Sequence, residues 1–450
     1  MDSNGSYAKN EWKTSQGVSY YLDGEGNLAK NTWIDGTYYA GEDGSMTKES
    51  WIYVDENEGS MKSGWYYLGR NGKVEKNDWK TIEKAKYCFD SDGRMRTGWH
   101  YENGDIYYLG NGSEGYTRSG WYFLESNGKK RPAEGSISKD LVPDSENGKW
   151  YYFQSNGKAR KGENGVPKEA AIDGRKYYFD ENGVMLTGWQ CVKEKAEPGD
   201  GTGISRFVYL GGKEDGMLKG QWLETSERPW DTKAWSTALN VQAVRKTNAE
   251  ETALMKKDGS RWFYLENNGS PLFLSADATG VKDGAVKIDG KYYFFDSYGV
   301  CQSGLIKFTS GGKTETAYFD PEAGGAMSIG RNTNAVDKKD KVYTFCSGTS
   351  GSEKGCGVTG EKDGFLYNNG LLVSAKEGSS YGPFKVAGQI YLVNENGKVQ
   401  TEEKKYSSNG KAAYIIENGK VFTLDKDGEK KSEATGLSLP YAGWKIQYQR

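Results

Sequence analysis

The sequence predicts an all-β fold, an elongated solenoid of stacked short β-hairpins. A phrase that joins an aromatic run to an Asn-Gly or Asp-Gly turn recurs along the 450 residues, as in YYFDENGVM (Tyr177 to Met185). The chain contains 14 Asn-Gly and 12 Asp-Gly pairs, and such pairs favour the positive φ angles of a type I′ hairpin turn. Aromatics make up 14% of the residues and all hydrophobic types only 35%. Flat rings must therefore supply most of the core.

Tryptophan spacing indicates the repeat. Successive tryptophans are separated by 18, 14, 14, 20 and 22 residues at Trp33, Trp51, Trp65, Trp79, Trp99 and Trp121. One short hairpin is unstable alone, but stacked copies bury each other's rings. Because side chains alternate along a strand, the first and third rings of a YYF triplet face one side and the middle ring the other. Each hairpin is therefore predicted to complete its neighbour.

The regularity of the phrase divides the chain into three predicted parts. Residues 1–225 form a regular aromatic hairpin array. Residues 226–261 form a linking insert with a short helix near 232–256, because residues 229–257 contain no hairpin phrase. Residues 262–450 form a degenerate hairpin array, since Trp444 is the only tryptophan that follows Trp262.

Charge and hydropathy exclude two classes of partner. The 60 Lys and Arg nearly balance the 62 Asp and Glu, and the charges are dispersed, which argues against a nucleic-acid surface. No apolar stretch approaches the roughly 20 residues that a membrane-spanning helix needs. The sequence thus predicts neither nucleic-acid binding nor membrane insertion.

The chemistry-bearing residues predict no metal site, no cofactor and no catalytic residues. The five cysteines show no CxxC spacing. Cys346 and Cys356 could close a disulfide loop, whereas Cys88 occupies a tyrosine position of its repeat and is expected to pack as a small apolar residue. The single histidine, His100, makes a catalytic triad improbable, and we interpret it as a solvated repeat residue. The sequence also contains no Walker nucleotide-binding loop of the form GxxxxGK followed by Ser or Thr.

Three segments resemble the choline-binding, or cell-wall-binding, repeats of Gram-positive surface proteins: YYFDENGVMLTGW (Tyr177 to Trp189), YCFDSDGRMRTGW (Tyr87 to Trp99) and GWYYLGRNGK (Gly64 to Lys73). Related repeats occur in glucan-binding domains and in the carbohydrate-binding regions of large clostridial toxins. The resemblance covers most of residues 10–225 and parts of the remainder. It implies a secreted protein of the cell surface or cell wall, in a mature or trimmed form, with a cytosolic protein as the alternative.

The resemblance also implies aromatic pockets between consecutive hairpins. Ring faces attract a quaternary ammonium by about 0.5–2 kcal/mol per ring, so weak sites would act together through avidity. Carried over by position, the Gly-Trp rings are Trp65, Trp99, Trp121 and Trp189, and the rings that precede the Tyr strand are Trp150 and Trp262. We expect the best cage to consist of Trp121, Trp150 and Trp189, with Trp65 and Trp121 serving both positions.

Choline and sugar both remain open as ligands. A lysine at the position before the Tyr strand would repel choline, and Lys176 beside Tyr177 suits a sugar that stacks on a ring and accepts hydrogen bonds. Taken singly, however, each Trp is expected to be a core residue rather than a ligand contact, and Lys176 is expected to be solvated.

Three functions follow. The first is a non-catalytic protein that attaches to choline-bearing teichoic acid, polysaccharide or other glycans. The second is a structural or adhesive stalk that binds a partner protein or host glycan, and the third is a lytic enzyme. Unpaired strand edges also predict self-association.

Overall fold

The computed structural model describes residues 7–125, 148–232, 259–408, 410–439, 442–444 and 446–449. The chain forms two compact units, Met1–Leu186 and Thr187–Arg450. Short antiparallel hairpins follow one another in each unit, which confirms the predicted all-β fold. The three-part division at residues 225 and 261 stays a prediction, and the helix predicted near 232–256 falls, from residue 233 onward, outside the described residues.

The described residues of the first unit form seven hairpins, each a two-stranded sheet. In chain order, hairpins 1 to 7 pair β1 (Glu11–Ser15) with β2 (Val18–Leu22), β3 (Thr32–Ile34) with β4 (Tyr38–Ala40), β5 (Ser50–Val54) with β6 (Gly64–Leu68), β7 (Trp79–Ile82) with β8 (Ala85–Cys88), β9 (Trp99–Glu102) with β10 (Asp105–Tyr108), β11 (Gly120–Glu125) with β12 (Gly148–Phe153), and β13 (Lys168–Ile172) with β14 (Arg175–Phe179).

The second unit begins with the same element. Hairpin 8 pairs β15 (Gly188–Cys191) with β16 (Phe207–Leu210), hairpin 9 pairs β17 (Gln221–Thr225) with β18 (Arg261–Leu265), and hairpin 10 pairs β19 (Ala285–Ile288) with β20 (Lys291–Phe295), to which β21 (Cys301–Gln302) adds. The helical elements of the described residues are α1 (Val281–Gly284) and three 3₁₀ turns (Ile204–Arg206, Pro229–Asp231, Gly351–Glu353).

Larger sheets complete the second unit. Their strands are β22 (Gly304–Ser310), β23 (Lys313–Asp320), β24 (Ala326–Met327), β25 (Arg331–Val336), β26 (Val342–Cys346), β27 (Gly360–Lys362), β28 (Phe365–Asn368), β29 (Leu371–Leu372), β30 (Tyr381–Val386), β31 (Gln389–Asn394), β32 (Val399–Gln400), β33 (Lys405–Ser408), β34 (Lys411–Glu417), β35 (Lys420–Leu424), β36 (Lys430–Glu433) and β37 (Ile446–Gln449). The spatial orders are β24-β23-β22-β37, β25-β26-β29-β28-β27, β30-β31-β32 and β33-β34-β35-β36.

The hairpin turns have the predicted chemistry. In hairpin 5, Asn103 and Gly104 have φ angles of 50° and 78°. In hairpin 7, Asp173 and Gly174 have φ angles of 49° and 77°. Two consecutive positive φ angles define a type I′ turn, whose twist matches that of the flanking strands.

Aromatic side chains alternate between the two faces of a hairpin, as predicted. In hairpin 6, Tyr151 and Phe153 pack in one cluster with Trp99 of hairpin 5. Tyr152 packs in another cluster, with Tyr177 of hairpin 7. Each hairpin thus contributes rings to the core shared with the hairpin before it and to the core shared with the hairpin after it.

A backbone hydrogen bond repeats at every junction of the first unit. The residue that follows the turn after one hairpin donates its amide to a carbonyl of the preceding hairpin at 2.8–2.9 Å. The donors are Met46, Val74, Met95, Thr117, Ala159 and Met185, and the respective acceptors are Ser19, Thr37, Trp65, Lys86, Ile106 and Trp150. Successive hairpins are therefore docked in the same way.

His100 is buried, so its interpretation as a solvated residue was wrong. Its side chain is 2% exposed, and its ring lies 5.4 Å from that of Trp79. The reason is strand alternation, because the residue after Trp99 points toward the preceding hairpin. Its Nε2 lies 3.8 Å from Sγ of Cys88, and burial raises the pKa of that thiol to about 12. Cys88 is buried as predicted.

Cys346 and Cys356 are free thiols in this structure. Cys346 is buried within β26 and Cys356 is half-buried, and burial raises the pKa of both thiols. Neither thiol is therefore in the reactive thiolate form near neutral pH.

The C-terminal strand closes the second unit. β37 pairs in parallel with β22, placing Ile446 opposite Ile306. Just before it, Trp444 is 5% exposed and packs with Leu305, Tyr318 and Phe345 among others. The backbone amide of Gly443 donates to Oδ2 of Asp337 at 2.8 Å.

Replacing Trp444 by alanine should therefore destabilise the second unit by about 3–5 kcal/mol, because a large buried ring leaves a cavity. Urea denaturation of the wild type and the variant measures the loss. Leu437→Ala is the control, since Leu437 is 51% exposed and its truncation should cost little. Equal losses in the two variants would contradict this account of Trp444.

Stability of the second unit should also depend on pH through Asp296. This buried carboxylate accepts the amides of Tyr298 and Val300 and the Nε2–H of Gln302, each at 2.9 Å. Burial raises its pKa from 3.8 to about 7. Folding therefore binds a proton, so this group's contribution to stability is full below pH 4 and is lost as pH rises to about 7.

Thermal melts between pH 4 and pH 8 should show this fall in the wild type and a shallower one in Asp296→Asn. Asp425→Asn is the matched control, because Asp425 accepts the same two kinds of turn amide but is exposed. An unchanged slope in Asp296→Asn would show that the carboxyl does not titrate in this range.

Candidate functional site

Two strand positions define a recurring aromatic site. Position A is the first-strand residue whose partner across the hairpin, usually a Tyr, belongs to the aromatic run of the second strand. Position B is the second-strand residue two places before that partner. In hairpin 3, Trp51 at position A lies opposite Tyr67, and Trp65 occupies position B. Both positions are Trp in hairpins 3, 6 and 9, every third hairpin along the chain: Trp51 with Trp65, Trp121 with Trp150, and Trp222 with Trp262.

The three tryptophan pairs have nearly the same geometry. Their ring centroids lie 6.4, 6.3 and 6.2 Å apart, with interplanar angles of 86°, 86° and 81°. A ring of the next hairpin completes each group 4.8–4.9 Å from the position A indole; these rings are Tyr87, Tyr177 and Tyr293. We call each such group a Trp corner, because two perpendicular indoles form adjacent walls and the tyrosine a third.

The Trp corners are open to solvent. All six tryptophans are half-buried rather than buried. Their walls are ring faces, which attract a cation through the quadrupole without any hydrogen bond. The chemistry therefore suits a quaternary ammonium group.

Four predicted site residues lie in Trp corners: Trp65, Trp121, Trp150 and Trp262. Trp65 and Trp121 each occupy one position rather than two. Gly64 begins the second strand of hairpin 3, whereas Gly120 begins the first strand of hairpin 6. The same Gly-Trp dipeptide thus supplies position B in one hairpin and position A in the other.

Tyr177 forms the third wall beside Trp121, although it is only 4% exposed. Trp99 and Trp189 occupy position A in hairpins 5 and 8, are each 3% exposed, and serve there as core rings. In the second unit Trp189 contacts Tyr209 and Phe263.

Lys176 occupies position B of hairpin 7, where Glu169 occupies position A. Lys176 Nζ lies 3.0 Å from Oε1 of Glu169, and the hydroxyl of Tyr178 donates to Oε2 of Glu169 at 2.8 Å. An ion pair therefore replaces the tryptophan pair in this hairpin. A ligand contact for Lys176 stays a prediction.

The sequence analysis missed two position A tryptophans, Trp51 and Trp222. They follow Ser50 and Gln221 rather than glycine, so the Gly-Trp pattern does not identify them. Their signal was instead the aromatic strand across the hairpin, which places a Tyr opposite each of them.

A polar cavity of about 300 Å³ lies in the first unit, lined by residues of hairpins 5 to 7 and the turns between them. Its side chains include Asn103, Asp105, Gln154, Arg160, Lys161 and Glu163. Lys158 Nζ forms an ion pair with Asp105 at 2.6 Å. Amides and charges that alternate in sign suit hydroxyl groups better than an apolar cation.

The described residues contain no group of three or more His, Cys, Asp or Glu side chains placed to hold a metal ion. Within the same part of the chain, no helix is long and apolar enough to cross a membrane.

Family comparisons match the hairpins. Residues 6–46 and 76–121 match the choline-binding repeat, and residues 145–159, 171–185 and 256–270 match a cell wall binding repeat. Five segments of the chain are therefore similar to choline-binding and cell wall binding repeats. The matched segments include Trp121, Trp150 and Trp262, whereas Trp51, Trp65 and Trp222 lie outside them.

The chain is also similar to individual proteins. Glucosyltransferase-S of Streptococcus mutans is 25% identical over 256 residues, which cover 56% of this chain and 14% of that protein. Choline-binding protein F from Streptococcus pneumoniae is 20% identical, with a TM-score of 0.39 over 79% of this chain and 98% of that one. The modular autolysin LytC from the same organism is 19% identical, with a TM-score of 0.35 over 68% of this chain and 52% of that one.

The Trp corners should be visible by circular dichroism, since nearly perpendicular indoles about 6 Å apart couple as excitons. Trp150→Phe should lower the far-ultraviolet couplet by the contribution of one corner. Trp189→Phe should leave the couplet intact, because Trp189 is not part of a corner. A couplet that Trp150→Phe does not change would contradict the observed pairing.

Proposed function

We propose that the chain is a non-catalytic module of the cell surface that attaches to choline-bearing wall polymers through its Trp corners. The observation that carries this proposal is the repetition of one open, perpendicular tryptophan pair in hairpins 3, 6 and 9. A quaternary ammonium offers no N–H donor, so ring faces are the surface that recognises it. Two indoles and a tyrosine meet that requirement in each corner.

Several corners on one chain suit a polymer that repeats its choline groups. Each ring contributes about 0.5–2 kcal/mol, so a single corner holds free choline weakly. Once one corner is occupied, the next binds at the effective concentration set by the polymer and the chain. Attachment to a wall is therefore favoured over capture of the free small molecule.

Absence of catalysis is part of the proposal. The burial of His100 against Cys88 and Trp79 supports it, because a buried imidazole does not reach a substrate. The chain spans only 14% of the glucosyltransferase that it matches, so that enzyme's activity is not carried over. A purified chain that releases fragments from peptidoglycan would overturn this part.

A second candidate ligand is carbohydrate, which the polar cavity of hairpins 5 to 7 favours. Asn103 and Gln154 offer amides, and Arg160 and Asp105 offer charged groups, around a volume of about 300 Å³. A sugar hydroxyl both donates and accepts, so mixed polar walls suit it. Arg160→Ala should weaken binding of a wall glycan without changing the response to choline.

Choline titration tests the main proposal. The wild type should show a saturable change in tryptophan fluorescence, and Trp150→Ala should lose one of the three corners. Equilibrium dialysis with labelled choline counts the sites directly. Lys149→Ala is the control, because Lys149 is the exposed neighbour of Trp150 and should keep every site.

The other outcomes separate the remaining functions. Binding of wall glycans without binding of choline would indicate that the polar cavity, rather than the Trp corners, is the attachment site. A chain that binds neither would contradict wall attachment and leave the stalk that binds a partner protein.

A further inference from the structure

Hairpin 4 carries an internal cation at the position where a Trp corner has its second indole. Position A is Trp79, opposite Cys88, and position B is Lys86. Lys86 Nζ lies 4.5 Å from the centroid of the Trp79 ring. Among the described residues no carboxylate forms an ion pair with this ammonium, so the ring face is its partner.

We propose that Lys86 occupies the cation site of hairpin 4 from within and closes it to external quaternary ammonium groups. This inference rests on the proposed function, because it names the residue that decides which hairpins accept choline. Hairpin 4 would then be a latent Trp corner that differs from the open ones at position B.

The backbone supports the equivalence of Lys86 and Trp65. The carbonyl of Lys86 accepts the amide of Thr117 at 2.9 Å, and that of Trp65 accepts the amide of Met95 at 2.8 Å. Both residues also lie two positions before the residue opposite the position A indole. A side chain at position 86 therefore starts from the same place as the second wall of hairpin 3.

The third wall is already present. Tyr107 of hairpin 5 lies 4.9 Å from Trp79, and Tyr87 of hairpin 4 lies 4.9 Å from Trp51. In addition, Trp79 Nε1 donates to Oε2 of Glu102 at 2.6 Å. A carboxylate bonded to the edge of the indole makes its face more negative, which favours a cation there.

Hairpin 7 shows what a closed hairpin without this latent site looks like. It also has lysine at position B, but Glu169 replaces the position A indole and pairs with Lys176 at 3.0 Å. Removing Lys176 would expose a carboxylate rather than a ring face. Lys86 and Lys176 therefore provide a matched pair. The same substitution at position B is expected to create a choline site in hairpin 4 and none in hairpin 7.

The test uses the full chain and counts labelled choline bound at saturation by equilibrium dialysis. Lys86→Trp should gain one choline site over the wild type, and Lys176→Trp should gain none. If Lys86→Trp does not fold, as judged by circular dichroism, Lys86→Phe serves the same purpose with a smaller ring. A folded variant without the additional site would overturn the proposal, and so would an equal gain in both lysine variants.

A second readout does not depend on choline. In the wild type, the ring current of Trp79 should shift the ε-methylene protons of Lys86 upfield in NMR spectra, and Trp79→Leu should abolish that shift. An unshifted methylene would overturn the internal occupancy of the site. A wild type that binds no choline but shows the shift would reject the proposed function while retaining the contact between Lys86 and Trp79.

Discussion

One contact recurs between the aromatic hairpins of this chain: the position A tryptophan packs edge-to-face or tilted against a ring of the next hairpin. Hairpin 7 is the exception, since its position A residue is Glu169. The centroid distance ranges only from 4.7 to 5.4 Å across the junctions. Edge-to-face pairs contribute about 0.5–1.5 kcal/mol beyond the area that they bury. Because Leu, Ile and Val are scarce, this contact and the buried rings around it provide most of the core between hairpins. The geometry of every Trp corner depends on this contact being nearly constant.

The same indole that contacts the next hairpin also forms one wall of each Trp corner, so the residue at position B decides whether a hairpin has such a corner. Tryptophan there makes an open corner, as in Trp65, Trp150 and Trp262. Ile106 and Phe207 at this position extend the core instead, since both are fully buried. Lys86 places an internal cation over the ring of Trp79. In the proposed function, position A mainly sets stability and position B sets recognition. Trp corners can therefore appear or disappear along such a chain through changes at position B, without altering how the hairpins stack.

The local rules of the fold could be predicted from the sequence because their causes are local. Asn103 and Gly104 specify a turn by their own φ preferences, and strand alternation fixes the faces of Tyr151 and Tyr152. The strand that carries a given tryptophan could not be predicted from a dipeptide, as Trp65 and Trp121 show, because that assignment depends on which segments pair. Hairpin 4 turns through Glu83 and Lys84 at positive φ, where the residues themselves give no turn signal. The burial of His100 likewise depends on a ring in the preceding hairpin.

The pairing of β37 with β22 has a consequence for synthesis on the ribosome. Each aromatic hairpin needs only nearby residues and can form soon after it leaves the exit tunnel. The sheet around β22 cannot be completed in that order, because its parallel neighbour comprises Ile446–Gln449. Residues 304–310 must wait for some 140 further residues, with one edge of the nascent sheet exposed to chaperones or to other chains. The second unit can therefore close only after residues 446–449 have left the exit tunnel.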